Sequence, residues 1–138
     1  MTRVNLKTTI NASADKVWQT VSDFNGLGAF VAAVANSTVD GTGVGSTRTL
    51  TLQDGAQLFE KLERLDDAGK SLDYSIVSGP LPVEHYRSTI TVTDIGPDQC
   101  EVSWSSTFEP KGVAAEQAEE VIGGIYMMGF DGLKKLFP

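Results

Sequence analysis

The chain has 138 residues, which is long enough to bury a core, and it carries a net charge of -7. No basic stretch is present, which argues against a nucleic-acid partner. The single cysteine, Cys100, excludes an internal disulfide, and the first residues lack the apolar run of a secretory signal. We therefore expect residues 1–138 to form a single cytoplasmic domain that does not insert into a membrane.

The first forty residues show one strand pattern, one helix pattern and one ambiguous stretch. Residues alternate in character from Thr2 to Ile10, which predicts a half-buried strand. Ser13 is a suitable N-cap for a helix from Ala14 to Ser22. Residues 32–39 are ambiguous, because their alanines favour a helix and their order favours a strand. We predict a strand.

The stretch from Gly45 to Asp66 predicts a β-hairpin with charged residues on its inner face. Arg48 falls on the same side as the leucines of the first strand, and Glu60 on the same side as the leucines of the second. A three-residue loop, 53–55, with Gly55 in the left-handed conformation, sets Arg48 opposite Glu60. Such a pair is either a structural ion pair near a sheet end or part of a cavity wall, and the pattern leaves both readings open.

Three further strands are predicted after this hairpin, at residues 70–78, 85–94 and 100–108. Residues 78–82 contain two prolines and predict an exposed loop that interrupts the sheet. The alternation directs seven polar or aromatic side chains inward: Arg48, Glu60, Tyr74, Tyr86, Ser88, Trp104 and Ser106. His85 points outward, which removes the commonest general base, and one His with one Cys gives no metal-ligand cluster. We expect neither a metal nor a cofactor.

The last segment, residues 113–137, is the only long helix pattern. Its apolar residues at helical spacing are Ala118, Val121, Ile122, Ile125, Met128, Leu133 and Leu136. Four interior glycines, Gly123, Gly124, Gly129 and Gly132, indicate that bulk is unwelcome along this helix. The glycines are explained either by close packing of the helix on the sheet or by an open space between the helix and the sheet.

A mostly apolar interior with a few convergent polar groups is typical of a small-molecule pocket. We assign ligand binding to eight residues that face this interior: Arg48, Glu60, Tyr74, Tyr86, Ser88, Trp104, Ile125 and Met128.

Several phrases of the sequence resemble one known family across nearly the whole chain. They include Ala-Ser-Ala-Asp-Lys-Val-Trp, Glu-Lys-Leu-Glu-Arg-Leu-Asp-Asp, Tyr-Ser-Ile-Val-Ser-Gly-Pro-Leu-Pro-Val and Val-Ser-Trp-Ser-Ser-Thr-Phe-Glu-Pro. The family is the polyketide cyclase/dehydrase and lipid-transport-like branch of the START/Bet v 1 (SRPBCC) superfamily. The resemblance implies an α+β helix-grip fold, in which a seven-stranded antiparallel sheet curves around a long C-terminal helix with a cavity between them.

The chain also resembles the plant abscisic acid receptors of this superfamily. By that resemblance Glu60 and Tyr86 match pocket residues, and Arg48 matches the arginine that follows a Gly-Ser-type turn. The resemblance further implies a mobile gate over the cavity, made of two loops that contain Asp54, Gly55, Pro80, Leu81 and Pro82.

Three functions remain open at this point. The first is a non-enzymatic binder or carrier of a small hydrophobic molecule, polyketide- or lipid-like, with a carbonyl or acidic group. The second is a polyketide cyclase/aromatase or dehydratase, in which Arg48, Tyr86 and Glu60 are the catalytic candidates. The third is a structural domain whose cavity is incidental. We expect the first function, because no histidine faces the interior to act as a general base. We further expect a monomer or homodimer whose partner is a small hydrophobic ligand.

Overall fold

The computed structural model describes residues 1–138 and contains one antiparallel sheet and two α-helices. The elements are β1 (Thr2–Ile10), α1 (Ala14–Val21), β2 (Val34–Asp40), β3 (Thr47–Leu52), β4 (Gln57–Asp66), β5 (Ser71–Ser78), β6 (Val83–Gly96), β7 (Gln99–Pro110) and α2 (Ala115–Leu136). A 3-10 turn, Leu27–Ala29, precedes β2. The strand order is β1-β7-β6-β5-β4-β3-β2. This confirms the helix-grip prediction. Neither helix is both long enough and apolar enough to cross a membrane.

Local signals explain the first two elements after β1. The Ser13 side chain caps α1, because the Lys16 backbone N–H donates to Ser13 Oγ at 3.3 Å. The ambiguous stretch is a strand, as predicted, but it starts at Val34. The two residues before it, 32 and 33, form a turn that returns the chain from the 3-10 turn to the sheet.

The predicted register of the β3–β4 hairpin is confirmed. Arg48 pairs with Glu60 across the two strands. The loop has three residues, and Gly55 adopts a φ of +89°, a region that glycine enters without steric penalty. The Leu52 N–H donates to the Ala56 carbonyl at 2.8 Å, which closes the loop.

The β4–β5 connection reaches the predicted pairing by a different route. Leu62 lies opposite Tyr74, as predicted from a three-residue loop. The turn instead has four residues, 67–70, and Lys70 adopts a positive φ of 51°. A bulge between Leu62 and Arg64 absorbs the extra residue and keeps the apolar side chains on the inner face.

α2 packs on the inner face of the sheet, against β1 and β7. Its buried residues are Ala118, Ile122, Tyr126, Gly129, Phe130 and Leu133. Two glycines explain how closely it approaches its neighbours. A Cβ on Gly129 would lie 2.6 Å from Trp104 Cζ3, and a Cβ on Gly132 would overlap the Phe30 carbonyl. Nothing lies within 4 Å of the corresponding position at Gly124.

Candidate functional site

A small cavity lies between α2 and the inner face of the sheet. Its volume is about 70 Å³, and 15 residues line it. Glu60 carries the only charge among them, and the other 14 are apolar or aromatic. Ligand pockets typically enclose roughly 300–1,000 Å³. A ligand of ordinary size therefore requires the walls to move outward.

Most of the predicted ligand-binding residues lie at this cavity. Five of the eight line it: Glu60, Tyr74, Tyr86, Trp104 and Ile125. Arg48 and Ser88 are buried directly behind lining residues, where they bond to Glu60 and Trp104 respectively. Their roles in binding stay predictions.

Met128 is the exception, and its expected position is corrected. It is 37% exposed and, with Met127 and Leu136, lines an open groove between α2 and residues 28–32. Its sulfur accepts a hydrogen bond from the Ala33 N–H at 3.3 Å. Met128 follows Ile125 by three residues, a spacing that predicts a shared face. It lies two residues, and thus about 200° around the helix, from Tyr126, which faces inward.

Arg48 and Glu60 form a buried ion pair. Arg48 Nη2 and Nε lie 2.6 Å and 2.8 Å from the same oxygen, Glu60 Oε1. Arg48 Nη1 donates to the Phe24 carbonyl at 3.1 Å. The guanidinium carbon also lies over two rings, 4.1 Å from the Phe24 centroid and 5.0 Å from that of Tyr74. Arg48 thus contacts protein groups on several sides and does not line the cavity.

Glu60 is the charged residue that lines the cavity. Both Arg48 contacts use Oε1, so Oε2 accepts no hydrogen bond from the protein. Burial raises the pKa of Glu60 above its ordinary value of 4.5, and Arg48 opposes this increase. A carboxylate paired with Arg48 through Oε1 is able to accept a hydrogen bond through Oε2 from a group in the cavity.

A network of hydroxyl groups extends inward from the cavity wall. The hydroxyl oxygens of Tyr74 and Tyr86 are 3.2 Å apart, and the Tyr86 hydroxyl bonds to that of Tyr126. The Tyr126 hydroxyl lies 3.1 Å from Ser88 Oγ. Trp104 Nε1 donates to both Tyr74 and Ser88, at 3.1 and 3.0 Å. Burial raises the pKa of all three tyrosines, so their hydroxyls keep their protons at physiological pH.

Tyr126 is the site residue that the sequence reasoning missed. Its ring stacks on Trp104 with centroids 4.3 Å apart and planes 15° apart. A signal was available, because Ala118, Ile122, Tyr126 and Phe130 recur every four residues along α2. Gly129 interrupts the apolar stripe beside it. Gly129 is buried on the inner face of α2, but a glycine does not count as apolar in the helical pattern, so the pattern identified this face only in part.

The predicted gate residues differ in their relation to the cavity. Leu81 is half-buried and lines it, although the loop was predicted as exposed. Asp54, Gly55 and Pro80 are exposed, and Pro82 is half-buried. The β3–β4 loop reaches the cavity only through Leu52, the residue that precedes it. Leu81 is therefore the one predicted gate residue that lines the cavity.

Three exposed side chains lie close enough together to share a cation. They are Glu84, His85 and Glu109, with ligand atoms within 4.8 Å of one another. His85 Nε2 is 3.9 Å from Glu109 Oε2, and the His85 side chain is 69% exposed, as its outward direction in the sequence predicts. None of the three lines the cavity.

Comparison with known proteins agrees with this architecture. The structure of the protein XoxI from Bacillus cereus is 33% identical and superposes with a TM-score of 0.94, over 99% of this chain and 96% of that one. An uncharacterised protein from Bacillus thuringiensis is 32% identical, with a TM-score of 0.92 over 98% of both chains. MLP-like protein 423 from Arabidopsis thaliana is 30% identical over 119 residues, which cover 77% of this chain and 75% of that protein.

A family model described as polyketide cyclase/dehydrase and lipid transport matches residues 1–138. The match spans the sheet, both helices and the cavity between them. The chain belongs to the polyketide cyclase/dehydrase and lipid transport family.

Proposed function

We propose that this protein binds or carries a small hydrophobic molecule, polyketide- or lipid-like, in the cavity between α2 and the sheet. One observation carries the proposal. The cavity wall is apolar apart from Glu60, with the Tyr74 and Tyr86 hydroxyls in its aromatic side chains. Apolar area supplies affinity, and a few convergent polar groups orient the ligand. The description of the family, which names lipid transport, supports the same function.

The ligand enters by displacement of Leu81. The loop that carries Leu81 has few bonds to hold it, since the Lys111 N–H donates to the Pro82 carbonyl at 2.9 Å and the Val83 N–H to Leu81 itself at 2.8 Å. Outward movement of residues 79–82 opens the cavity without breaking a strand pair. Segments with few buried contacts open at low free-energy cost.

Paired tryptophan substitutions on α2 test the site. Ile125→Trp fills the cavity, whereas Met128→Trp, three residues later, places a tryptophan in the open groove between α2 and residues 28–32. We expect the neutral fluorescent probe N-phenyl-1-naphthylamine to bind wild type and Met128→Trp alike, and Ile125→Trp at least tenfold more weakly. Equal binding by Ile125→Trp, or loss in Met128→Trp alone, would place the probe outside the cavity.

A second candidate function is cyclisation or dehydration of a polyketide-like substrate in the same cavity. The observation that favours it is Glu60, a cavity carboxyl whose pKa burial raises toward the range of a general acid or base. In this function Glu60 and Tyr86 act on the substrate, and Arg48 holds Glu60 in place. The test is turnover of a poly-β-keto thioester by wild type and by Tyr86→Phe. Product from wild type that Tyr86→Phe forms far more slowly, with probe binding unchanged, supports the enzyme.

A further inference from the structure

The directions of the hydrogen bonds in the hydroxyl network follow from its innermost member. Ser88 has one hydroxyl proton, and it goes to the Ser105 carbonyl at 3.0 Å, because a carbonyl only accepts. Ser88 Oγ also accepts from Trp104 Nε1 at 3.0 Å. In the contact between Ser88 and Tyr126, at 3.1 Å, Tyr126 must therefore be the donor.

Because each hydroxyl has only one proton to donate, the donor in each remaining contact follows in turn. The Tyr126 proton goes to Ser88, so the Tyr86 hydroxyl donates to Tyr126. The Tyr86 proton is then used, so Tyr74 donates to Tyr86 across 3.2 Å. Each hydroxyl proton is thus used inside the network, along the series Tyr74, Tyr86, Tyr126, Ser88 and the Ser105 carbonyl, and none is free for a group in the cavity. Trp104 Nε1, the other N–H nearby, is used by Tyr74 and Ser88.

The polar wall of the cavity is consequently made of acceptors. Glu60 Oε2 has no protein donor, and the phenol oxygens of Tyr74 and Tyr86 present only lone pairs. The guanidinium of Arg48 contacts Glu60 Oε1 and the Phe24 carbonyl and does not line the wall. A carbonyl or carboxylate placed here finds no donor and faces a carboxylate instead, which is unfavourable in a desolvated site.

We propose that the ligand is a hydrogen-bond donor, an apolar molecule whose phenol, alcohol or amine group donates to Glu60 Oε2. This inference rests on the proposed cavity function and specifies its ligand class. It reverses the sequence-based expectation of a carbonyl or acidic group. That expectation assumed that Arg48 faces the ligand, whereas Glu60 stands between them.

Three probes of one skeleton test the ligand class on the wild-type protein. They are 2-naphthol, which donates, 2-methoxynaphthalene, which only accepts, and the anion 2-naphthoate. Displacement of N-phenyl-1-naphthylamine measures their affinities at pH 7.5. We expect 2-naphthol to bind at least tenfold more tightly than 2-methoxynaphthalene, and 2-naphthoate to bind most weakly. Binding of 2-naphthoate as tight as that of 2-naphthol would overturn the inference and leave the cavity function standing. If no naphthalene probe and no reporter binds, both proposals fail.

Tyr126→Phe tests the proton direction separately. Loss of this hydroxyl removes the acceptor for the Tyr86 proton, which becomes free to face the cavity. Phe keeps the ring that stacks on Trp104. We expect 2-acetonaphthone, a carbonyl probe, to bind Tyr126→Phe several-fold more tightly than wild type, with 2-methoxynaphthalene gaining less. Unchanged binding of 2-acetonaphthone by the folded variant would show that the protons do not run inward as inferred.

Discussion

Arg48 and Glu60 are both only 4% exposed, and this burial shows how the two readings that the sequence left open fit together. A charge this deeply buried is tolerated when it is paired and hydrogen-bonded, and Arg48 makes three such contacts. The pair is thus part of the scaffold, and Glu60 also lines the cavity, with Oε2 left free of Arg48. We therefore expect removal of the Arg48 side chain to lower the free energy of unfolding more than it weakens ligand binding.

The first prediction concerns this pair. Arg48→Met is expected to lower the free energy of unfolding by about 3–5 kcal/mol, because it leaves Glu60 buried without its partner. Arg64→Met is the matched control. Arg64 also pairs with a carboxylate, Asp73 at 3.0 Å, but its side chain is 42% exposed, and Arg87 and Thr89 hold Asp73 as well. Urea denaturation should show a loss of about 1 kcal/mol or less for the control. Equal small losses in both variants would mean that the Arg48 pair is solvated.

The second prediction follows from the raised pKa of Glu60. A carboxyl group with a higher pKa in the folded state binds its proton more tightly there. The stability it contributes is present below its ordinary value of 4.5 and is lost as pH rises through the raised pKa. Glu60→Gln does not titrate. We expect the stability of wild type relative to Glu60→Gln to fall as pH rises through this window, by chemical denaturation at several pH values. A relative gain with rising pH would show that Arg48 outweighs burial.

At the scale of elements, the hairpin and the long helix show what the sequence predicts and what it does not. The β3–β4 register was predictable, because strand alternation and one loop glycine leave a single consistent pairing for Arg48 and Glu60. The inner face of α2 was predicted only in part: Ala118, Ile122 and Leu133 are buried as expected, whereas Gly129 occupies a buried position that carries no apolar signal. The cavity volume was also beyond the sequence. It depends on how far α2 stands from the sheet, which is a property of the packed whole.

The third prediction uses the glycines of α2 as a matched set. Gly132→Ala and Gly129→Ala are expected to lower stability by about 1–3 kcal/mol, because the added methyl meets the Phe30 carbonyl in one case and Trp104 in the other. Gly124→Ala meets nothing within 4 Å and should raise stability by about 0.5–1 kcal/mol, the usual helix preference of alanine over glycine. Thermal melting measures all three. A gain from Gly132→Ala would contradict the close approach of the helix.

At the scale of the whole molecule, six strands follow one another as antiparallel neighbours and the seventh does not. β2 to β7 pair in chain order, whereas β1 pairs with β7, and Thr2 lies opposite Phe108. Contacts between distant parts of a chain form late, because loop closure must precede them. α2 in turn packs on β1 as well as β7, so the helix cannot settle fully before β1 is in place.

The fourth prediction concerns folding rates. Val4→Ala, in β1, should mainly accelerate unfolding, whereas Leu62→Ala, in β4, should also slow folding, since local hairpins form earlier. Both side chains are buried, and both changes remove apolar groups from the core. Stopped-flow folding and unfolding across a denaturant series gives the two rates for each variant. Val4→Ala that slows folding as strongly as Leu62→Ala would place β1 in the folding nucleus.

The pairing of β1 with β7 also matters during biosynthesis. A ribosome releases β1 before any other strand, and its partner β7 emerges only after the five other strands. Throughout that interval β1 has no native neighbour, and an unpaired strand is open to other nascent chains. Arg3 and Lys7 lie on its outward face, where their charges oppose such association. The closure of this sheet thus waits until β7 has been synthesised, and the outward charges of β1 protect it during that interval.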